Sequence, residues 1–207
     1  DADDMIAPDR LSIQLEILEN SSYDLTTSGL YSVSDDLTLF GVRGINFSGN
    51  IVINDIIYGK IGILHAGLLA KKEWYKRNHY DEALPVAEDF DLWLKSIKNN
   101  DLKIKLIDKP LYIYREEGSV SREKLLKSFK LGPKLLDKYI ENPFLKRKLI
   151  LKSRIKCLAV EILDIFGFLP KIQKRRNKEK LIDEKDYEDY NQVISIVKNT
   201  KVPGLNL

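Results

Sequence analysis

The sequence predicts an α/β fold followed by a helical, basic appendage, and three observations carry this prediction. The composition is globular, since 43% of the 207 residues are hydrophobic and 31% are charged, enough to bury a core. Predicted strands and helices alternate over residues 1–120, as is typical of α/β domains. Charge then divides the chain near Ser121, because residues 1–120 hold 13 Lys and Arg against 20 Asp and Glu, and residues 121–207 hold 21 against 11.

Composition also excludes several classes of protein. Ten tyrosines and the apolar content exclude a disordered or low-complexity chain. The single cysteine, Cys157, cannot close an intramolecular disulfide, so we expect a reducing, cytoplasmic compartment rather than a secreted scaffold. No stretch reaches the roughly 18 uninterrupted apolar residues that a membrane-spanning helix needs. No basic region followed by an apolar run opens the chain, so no signal peptide is predicted.

The first predicted elements are a helix and a short strand. Pro8 and Asp9 suit the first turn of a helix, and leucines then recur at helical spacing until Asn20. Residues 29–33 read as a short strand between Ser- and Asp-containing turns. The glycine-containing stretch that follows predicts a loop, and the apolar run at residues 51–57 is too short to separate strand from helix.

The later part of this half alternates strands with helices. Residues 61–69 predict a buried strand, and a polar helix is predicted from Lys71 to about Arg77. A further helix begins at an acidic cluster at Glu88 and ends near Asn99. Two strands are predicted at residues 104–107 and 111–114, on either side of Lys109-Pro110.

Two acidic clusters, at residues 1–4 and 88–91, lie where a loop meets a predicted helix. Carboxylates spaced Asp-x-Asp can ligate Mg²⁺ or Mn²⁺, and such a cation neutralises a diphosphate. A separate carboxylate can then take the proton of an alcohol. Acids at helix N-termini also complement the helix dipole, which accounts for each cluster taken alone. Spacing does not show whether the two clusters meet, so both interpretations stay open.

A series of motifs in fixed order over residues 1–121 resembles the family 2 glycosyltransferases. The motifs are Asp1-Ala2-Asp3-Asp4 with Pro8, His65 before Lys71–Tyr75, Tyr80-Asp81, Glu88-Asp89-Phe90-Asp91-Leu92-Trp93, Pro110–Arg115 and Gly118–Ser121. The resemblance implies the C-terminal part of a GT-A, Rossmann-like fold and a nucleotide-diphospho-sugar donor. It also implies Mn²⁺ or Mg²⁺ and inversion at the anomeric carbon in one displacement.

The same resemblance assigns roles residue by residue. It places Asp1 and Asp3 on the motif that binds metal and nucleotide diphosphate, with Asp3 as the expected metal ligand. It places Asp89 on the base that deprotonates the acceptor hydroxyl. Acceptor-side or supporting positions fall on three residues: Glu88, Asp91 and His65. His65 stays open between this role and that of an ordinary structural histidine.

The sequence departs from the family pattern in two places. The strands that bind base and ribose precede the Asp-x-Asp motif in the family and have no counterpart here, and Met5 follows the opening acids. We therefore expect a fragment of a longer protein. The Gln-x-x-Arg-Trp motif of polymerising relatives is also absent, since residues 92–95 read Leu-Trp-Leu-Lys. Transfer of a single sugar is expected, to a saccharide or lipid-linked acceptor of a cell-surface polysaccharide or glycolipid precursor.

The second half is predicted to be helical, with breaks at Gly132-Pro133 and Asn142-Pro143. Residues 146–180 carry 12 Lys and Arg against three acids, interleaved with apolar side chains. This pattern suits peripheral contact with an anionic membrane. It equally suits a solvated helix whose apolar stripe packs on the domain. No nucleic-acid partner is predicted, and the acidic segment 183–189 is expected to fold back on the basic helix.

Together these observations predict two parts, residues 1–121 and residues 122–207. The leading hypothesis is a metal-dependent glycosyltransferase in the cytoplasm, at the inner membrane face if the basic part docks there. The alternative is a non-catalytic fragment that docks a membrane or a partner protein through that part. A third hypothesis, two-metal phosphoryl transfer, would use the same acids but release inorganic products instead of moving a sugar.

Overall fold

The computed structural model describes residues 4–45, 47, 49–84, 86–116, 122–168 and 182–201. Within these ranges the strands are β1 (Met5–Ile6), β2 (Leu25–Val33), β3 (Leu39–Arg43), β4 (Leu69–Ala70) and β5 (Ile104–Arg115). The helices of the same ranges are α1 (Arg10–Glu19), α2 (Ile53–Ile57), α3 (Lys72–Arg77), α4 (Glu88–Lys98), α5 (Arg122–Asp137), α6 (Pro143–Ile165) and α7 (Glu184–Asn199). The predicted α/β class is confirmed.

The sheet is mixed, and β2 lies at its centre. One edge of β2 pairs in parallel with β5, which pairs antiparallel with β1 at the sheet's border. The other edge pairs antiparallel with β4 at the start of β2 and with β3 at its end. All nine residues of β2 are buried, as expected of a strand paired on both edges and covered on both faces.

Strand β5 passes through Lys109-Pro110 without ending, whereas the sequence predicted two strands there. Pro110 lies opposite Gly29, where the β2–β5 register shifts. Proline has no N–H to donate to the ladder, so it is accommodated at such an irregularity. A Cβ on Gly29 would lie 2.6 Å from the carbonyl oxygen of Arg43 and 2.8 Å from that of Asp108. Glycine is therefore required where the neighbouring backbones approach most closely.

The larger hydrophobic core lies between the sheet and helices α2, α3 and α4. Its fully buried members include Leu25 of β2, Trp74 of α3, and Leu92 and Leu94 of α4. The predicted helices at 71–77 and from residue 88 are thus confirmed, and the ambiguous run at 51–57 contains helix α2. Packing of these three helices places the N-terminus of α4 at the edge of the core.

Three further sequence predictions in this half are wrong. The stretch before residue 51 is not all loop, because residues 39–43 form strand β3. Strand β2 begins at Leu25 rather than at Gly29. The buried strand predicted at residues 61–69 is mostly turn and irregular chain, and Leu69 alone of these residues is in β4.

Along residues 61–68, side chains rather than a neighbouring strand donate hydrogen bonds to the backbone carbonyl groups. Thr27 donates its hydroxyl hydrogen to the carbonyl oxygen of Leu64 at 2.9 Å. Gln14, fully buried on α1, donates to the carbonyl oxygen of Gly67 at 2.9 Å, and Arg10 donates to that of Leu68 at 3.2 Å. Because buried carbonyls must find donors, these bonds allow an apolar segment to pack without being a strand.

Helices α5 and α6 pack against each other, and they join the larger core through Leu149 of α6 and through Ile140 in the segment between the two helices. The predicted break at Gly132-Pro133 is wrong, since α5 continues through Pro133. The break at Asn142-Pro143 is confirmed, because Asn142 Oδ1 caps α6 by accepting from the N–H groups of Phe144 and Leu145 at 3.0 and 3.1 Å. No helix in the described ranges is long and apolar enough to cross a bilayer.

Helix α7 packs on the sheet. Its Tyr190 and Ile194 join a second core with residues of β2, β3 and β5, and the Tyr190 hydroxyl donates to the carbonyl oxygen of Leu37 at 2.7 Å. The acidic segment 183–189 was expected to fold back on the basic helix. The structure instead places the helix that contains this segment against the sheet, because its apolar stripe finds an apolar partner there.

Candidate functional site

The second acidic cluster occupies the first turn of α4. Ala87 precedes this helix in the left-handed conformation, with φ 61° and ψ 28°. Glu88 is exposed and Asp89 is half-buried. The backbone N–H of Phe90 donates to Asp89 Oδ1 at 2.7 Å, which fixes the orientation of that carboxylate.

Asp89 lines a cavity of about 670 Å³ between α4 and the α5–α6 pair. Aromatic and apolar walls come from Trp93 of α4, Phe129 and Pro133 of α5, and Leu149 of α6. A half-buried carboxylate in a concave, largely apolar space is the arrangement expected of a binding or catalytic site. The cavity exists because the helical appendage lies opposite the acidic end of α4.

Two lysines of α6 face the same cavity. Lys152 and Lys156 line it one helical turn apart, with Ser153 between them. The Lys156 ammonium lies 5.0 Å from the centre of the Phe129 ring, a cation–π contact. The cavity thus has a carboxylate on one wall and ammonium groups on another. This pairing could not be predicted from the sequence, because charge and spacing within α6 do not show which helix it faces.

Trp93 has a polar group as well as an apolar ring. Its side chain is buried, and its Nε1–H has no hydrogen-bond partner among the described residues. Buried donors are nearly always paired in folded proteins. The unpaired indole N–H is enclosed by protein atoms, so it belongs to the core beside the Asp89 cavity and not to the cavity's accessible surface.

His65 and two tyrosines form a polar cluster beside the cavity. His65 Nε2 lies 2.7 Å from the Tyr80 hydroxyl, which is 3.4 Å from the Tyr75 hydroxyl. Burial raises the pKa of Tyr80, and the Tyr75 hydrogen bond and the charges of Asp89 and Glu88 raise it further. The two acids therefore lie within electrostatic reach of Tyr80.

The structure thus brings three of the predicted site residues into one neighbourhood. The His65 ring meets the Trp93 ring edge-on at 6.2 Å between centroids, and Trp93 lines the cavity that contains Asp89. Tyr80 links His65 to the charges of Asp89 and Glu88. The sequence analysis named Tyr80 only as part of a motif. Its position between His65 and the acidic pair Glu88-Asp89 in the sequence was the signal that could have identified it as a site residue.

Asp91 lies elsewhere on α4. It is buried, and its Oδ1 accepts a hydrogen bond from the Tyr139 hydroxyl at 2.8 Å and lies 3.6 Å from the Lys138 ammonium. Burial raises the pKa of Tyr139, and the bond to Asp91 raises it further. Lys138 also pairs with Asp81 at 2.9 Å. Asp91 therefore joins α4 to the segment between α5 and α6.

The first acidic cluster is described only at Asp4, and the predicted metal ligands Asp1 and Asp3 lie outside the described residues. Asp4 accepts hydrogen bonds from the Tyr112 hydroxyl at 2.9 Å and from the backbone N–H of Arg115 at 3.0 Å. These bonds tie the end of the cluster to β5. Burial raises the pKa of Tyr112, and its bond to Asp4 adds to the shift.

The described residues contain no cluster of side chains that could ligate a metal ion. Among them, no three His, Cys, Asp or Glu side chains converge where a metal could bind. Asp1 and Asp3, whose carboxylate oxygens are the donor type that Mg²⁺ and Mn²⁺ prefer, stay the ligands predicted from the sequence.

Comparison with known proteins relates the chain to a glycosyltransferase. No protein-family model matches it. It is 30% identical over 119 residues to an uncharacterized glycosyltransferase of Methanocaldococcus jannaschii. The match covers 56% of this chain and 40% of that protein, so the chain spans less than half the length of its relative. The similarity and the mixed α/β sheet agree with the predicted relationship to glycosyltransferases.

Proposed function

We propose that this chain is the C-terminal part of an inverting, metal-dependent glycosyltransferase that moves one sugar from a nucleotide-diphospho-sugar to a hydroxyl acceptor. The observation that carries the proposal is the position of Asp89, an oriented carboxylate at the edge of a cavity large enough for a saccharide unit. Similarity to a glycosyltransferase supports the reaction class.

Asp89 acts as the general base in this proposal. The Phe90 N–H holds Oδ1, so the other carboxylate oxygen is available to accept the proton of the acceptor hydroxyl. As that proton moves to Asp89, the acceptor oxygen forms a bond to the anomeric carbon on the face opposite the leaving group. The bond from that carbon to the diphosphate breaks, and its electron pair leaves with the diphosphate.

The polar groups around the cavity orient the acceptor. Glu88 is exposed beside the base, and the His65–Tyr80 pair offers both donor and acceptor atoms. Hydrogen bonds of this kind position a hydroxyl against a base, and positioning is a large part of catalysis in a two-substrate reaction.

Asp1 and Asp3 would hold the Mn²⁺ or Mg²⁺ of the proposed reaction, while Asp4 is used by Tyr112 and Arg115. When bound, the cation neutralises charge on the departing diphosphate. The nucleotide-sugar donor also needs a pocket for its base and ribose. That pocket is proposed to belong to the part of the longer protein that precedes these acids.

The lining of the cavity supports a saccharide or lipid-linked acceptor. The half-buried Phe129 ring offers an aromatic surface of the kind that packs against the apolar face of a sugar ring. Lys152 and Lys156 can pair with an acidic or phosphorylated group carried by the same molecule. Transfer of a single sugar remains the proposed outcome.

The test is transfer from a panel of nucleotide sugars to saccharide acceptors, with Mn²⁺, by the longer protein that contains this chain and its proposed donor pocket. Asp89→Asn is expected to lower transfer by roughly a hundredfold or more, the usual contribution of a general base. The matched control is Glu184→Gln, an exposed acid in the first turn of α7, which should transfer as the wild type does. No transfer by the wild type, or equal transfer by Asp89→Asn, would contradict the proposal.

The second candidate function is a non-catalytic fragment that docks through its basic helical part. The apolar residues that α6 leaves exposed favour it. In that case Asp89→Asn would change neither partner binding nor any catalytic readout. Transfer that depends on Asp89 therefore separates the two candidates.

A further inference from the structure

Helix α6 exposes an apolar stripe along its whole length. The stripe consists of Phe144, Leu151, Ile155, Leu158 and Ile162, whose side chains are between 45% and 77% exposed. These positions recur at spacings of three, four and seven, so they share one face of the helix. Arg147 and Lys148 separate Phe144 from the other four, which form a continuous run from Leu151 to Ile162. Single exposed apolar residues are ordinary, but a run of four on one face marks an interaction surface.

The stripe is not the face that α6 uses for packing inside the protein. Leu149, Ser153 and Lys156 line the Asp89 cavity, and Val160 is buried. At about 100° per residue, this inner face is centred roughly 180° from the stripe. The solvated-helix interpretation of the sequence required the apolar stripe to pack on the domain. The described contacts instead bury the inner face and leave the stripe exposed.

Basic side chains flank the stripe on both sides. Arg147 and Arg154 lie along one border and Lys148 along the other, and all three are exposed. The acids of α6 are Glu161 and Asp164, both near its end, and Asp164 pairs with Arg122 at 3.1 Å. The first four turns of the outer face therefore combine an apolar centre with positive borders.

We propose that the outer face of α6 docks in the plane of an anionic membrane surface. The stripe would enter the boundary between headgroups and acyl chains, while the three flanking cations pair with lipid phosphates. A second copy of this chain fits the same face poorly, because self-association through the stripe would bring like charges together. Charge complementarity therefore selects an anionic lipid surface as the occupant.

Docking in this orientation has a consequence for the site, which rests on the proposed function. Helix α6 would lie between the bilayer and the Asp89 cavity, because its inner face lines that cavity. The cavity would then lie about one helix diameter, roughly 10 Å, from the headgroups. An acceptor anchored in the membrane suits this distance better than one free in solution.

The test is co-sedimentation of the chain with vesicles, half phosphatidylglycerol and half phosphatidylcholine, against vesicles of phosphatidylcholine alone. We expect the wild type to bind the anionic vesicles, with binding that weakens as salt rises. The double variant Leu151→Ser/Ile155→Ser should lose roughly tenfold or more in partitioning. The matched control is Leu11→Ser/Leu15→Ser, which removes two apolar residues of α1 that are also one turn apart and are 52% and 49% exposed.

Three outcomes would overturn the proposal. The first is a wild type that binds neither kind of vesicle, and the second is an α6 variant that binds as the control variant does. The third is a wild-type particle of two chains that becomes one chain in the α6 variant without any vesicle binding, which would show self-association through the stripe. Circular dichroism and thermal melts of both variants confirm that each is folded.

The vesicle assay needs no donor, metal or sugar transfer, so it can fail independently of the proposed function. Asp89→Asn should bind anionic vesicles as the wild type does, because Asp89 lies in the cavity on the other side of α6. Loss of transfer with vesicle binding retained supports both proposals. Transfer retained in an α6 variant that no longer binds vesicles would separate catalysis from docking.

Discussion

Tyr139 donates its hydroxyl hydrogen to the buried carboxylate of Asp91 at 2.8 Å, whereas Asp89, two positions earlier in α4, lines the cavity below the α5–α6 pair. Two positions along a helix correspond to about 200° of rotation, so the two carboxylates point in nearly opposite directions. One short acidic motif thus supplies a site residue and a structural residue. Their spacing in the sequence does not show that Asp89 and Asp91 have different roles.

Replacing these two acids should separate stability from activity. Asp91→Ala leaves the Tyr139 hydroxyl and the Lys138 ammonium without the carboxylate they share, and should lower the free energy of unfolding by roughly 2–4 kcal/mol. Asp89→Ala should cost at most about 1 kcal/mol, its contribution to the helix dipole. Urea denaturation of both variants measures the difference, and equal losses of stability would contradict the assignment.

The Asp101 carboxylate holds α3 against the loops that precede β2 and β5. Its Oδ2 accepts from Arg77 Nε at 2.7 Å and from Asn78 Nδ2 at 2.6 Å, and Arg77 also pairs with Asp24 at 2.5 Å. The Arg77 bond, followed by the Asn78 bond, holds the pKa of Asp101 below its ordinary value, although partial burial opposes the shift.

This lowered pKa predicts acid sensitivity of a defined sign. The stabilisation is fully present above the unfolded-state value of about 3.9 and is lost as pH falls below it through the folded-state pKa. Asp101→Asn should therefore cost roughly 1–2 kcal/mol at pH 7 and less near pH 3. Urea midpoints of wild type and variant at both pH values measure this, and a difference that does not change with pH would refute it.

Local patterns predicted the elements whose packing matches their own periodicity. Helices α3 and α4 begin and end close to the positions that their polar and acidic residues indicated. The strand predicted at 61–69 failed for a non-local reason, because Gln14 and Thr27 supply hydrogen bonds that its apolar residues give no hint of. Short apolar runs do not show whether their carbonyls meet a strand or a side chain.

The candidate site also contains some residues that the sequence predicts and others that only the structure shows. Asp89 follows from a motif that is contiguous in sequence. Lys152 and Lys156 reach the same cavity from a helix more than 60 residues later, because α5 and α6 fold back over α4. The sequence showed that this helix is basic but not which helix its lysines face, since that depends on long-range packing.

The Gln14 side chain should stabilise residues 61–68, the segment that contains His65. Its side-chain amide donates to the carbonyl oxygens of Thr26 and Gly67 at 3.3 and 2.9 Å, and its Oε1 accepts from Arg10 at 2.9 Å. Gln14→Leu keeps the volume but leaves these buried groups unpaired, so we expect a loss of roughly 1–3 kcal/mol. Amide hydrogen exchange of residues 61–68 should become faster, whereas Glu16→Gln, an exposed change on the same helix, should leave it unchanged.

Ala87 enters α4 in the left-handed region, at φ 61°, directly before Glu88 and Asp89. That conformation costs a residue with a Cβ about 1–2 kcal/mol, and glycine gives up roughly 0.5–1 kcal/mol of backbone entropy in its place. Ala87→Gly should therefore raise the free energy of unfolding, by at most about 1 kcal/mol. Ala159→Gly, in the interior of α6, should lower it by about 1 kcal/mol. Urea denaturation of the two variants measures the sign of each change in the free energy of unfolding. If Ala87→Gly destabilises the protein as much as Ala159→Gly does, the turn before Asp89 stores no strain.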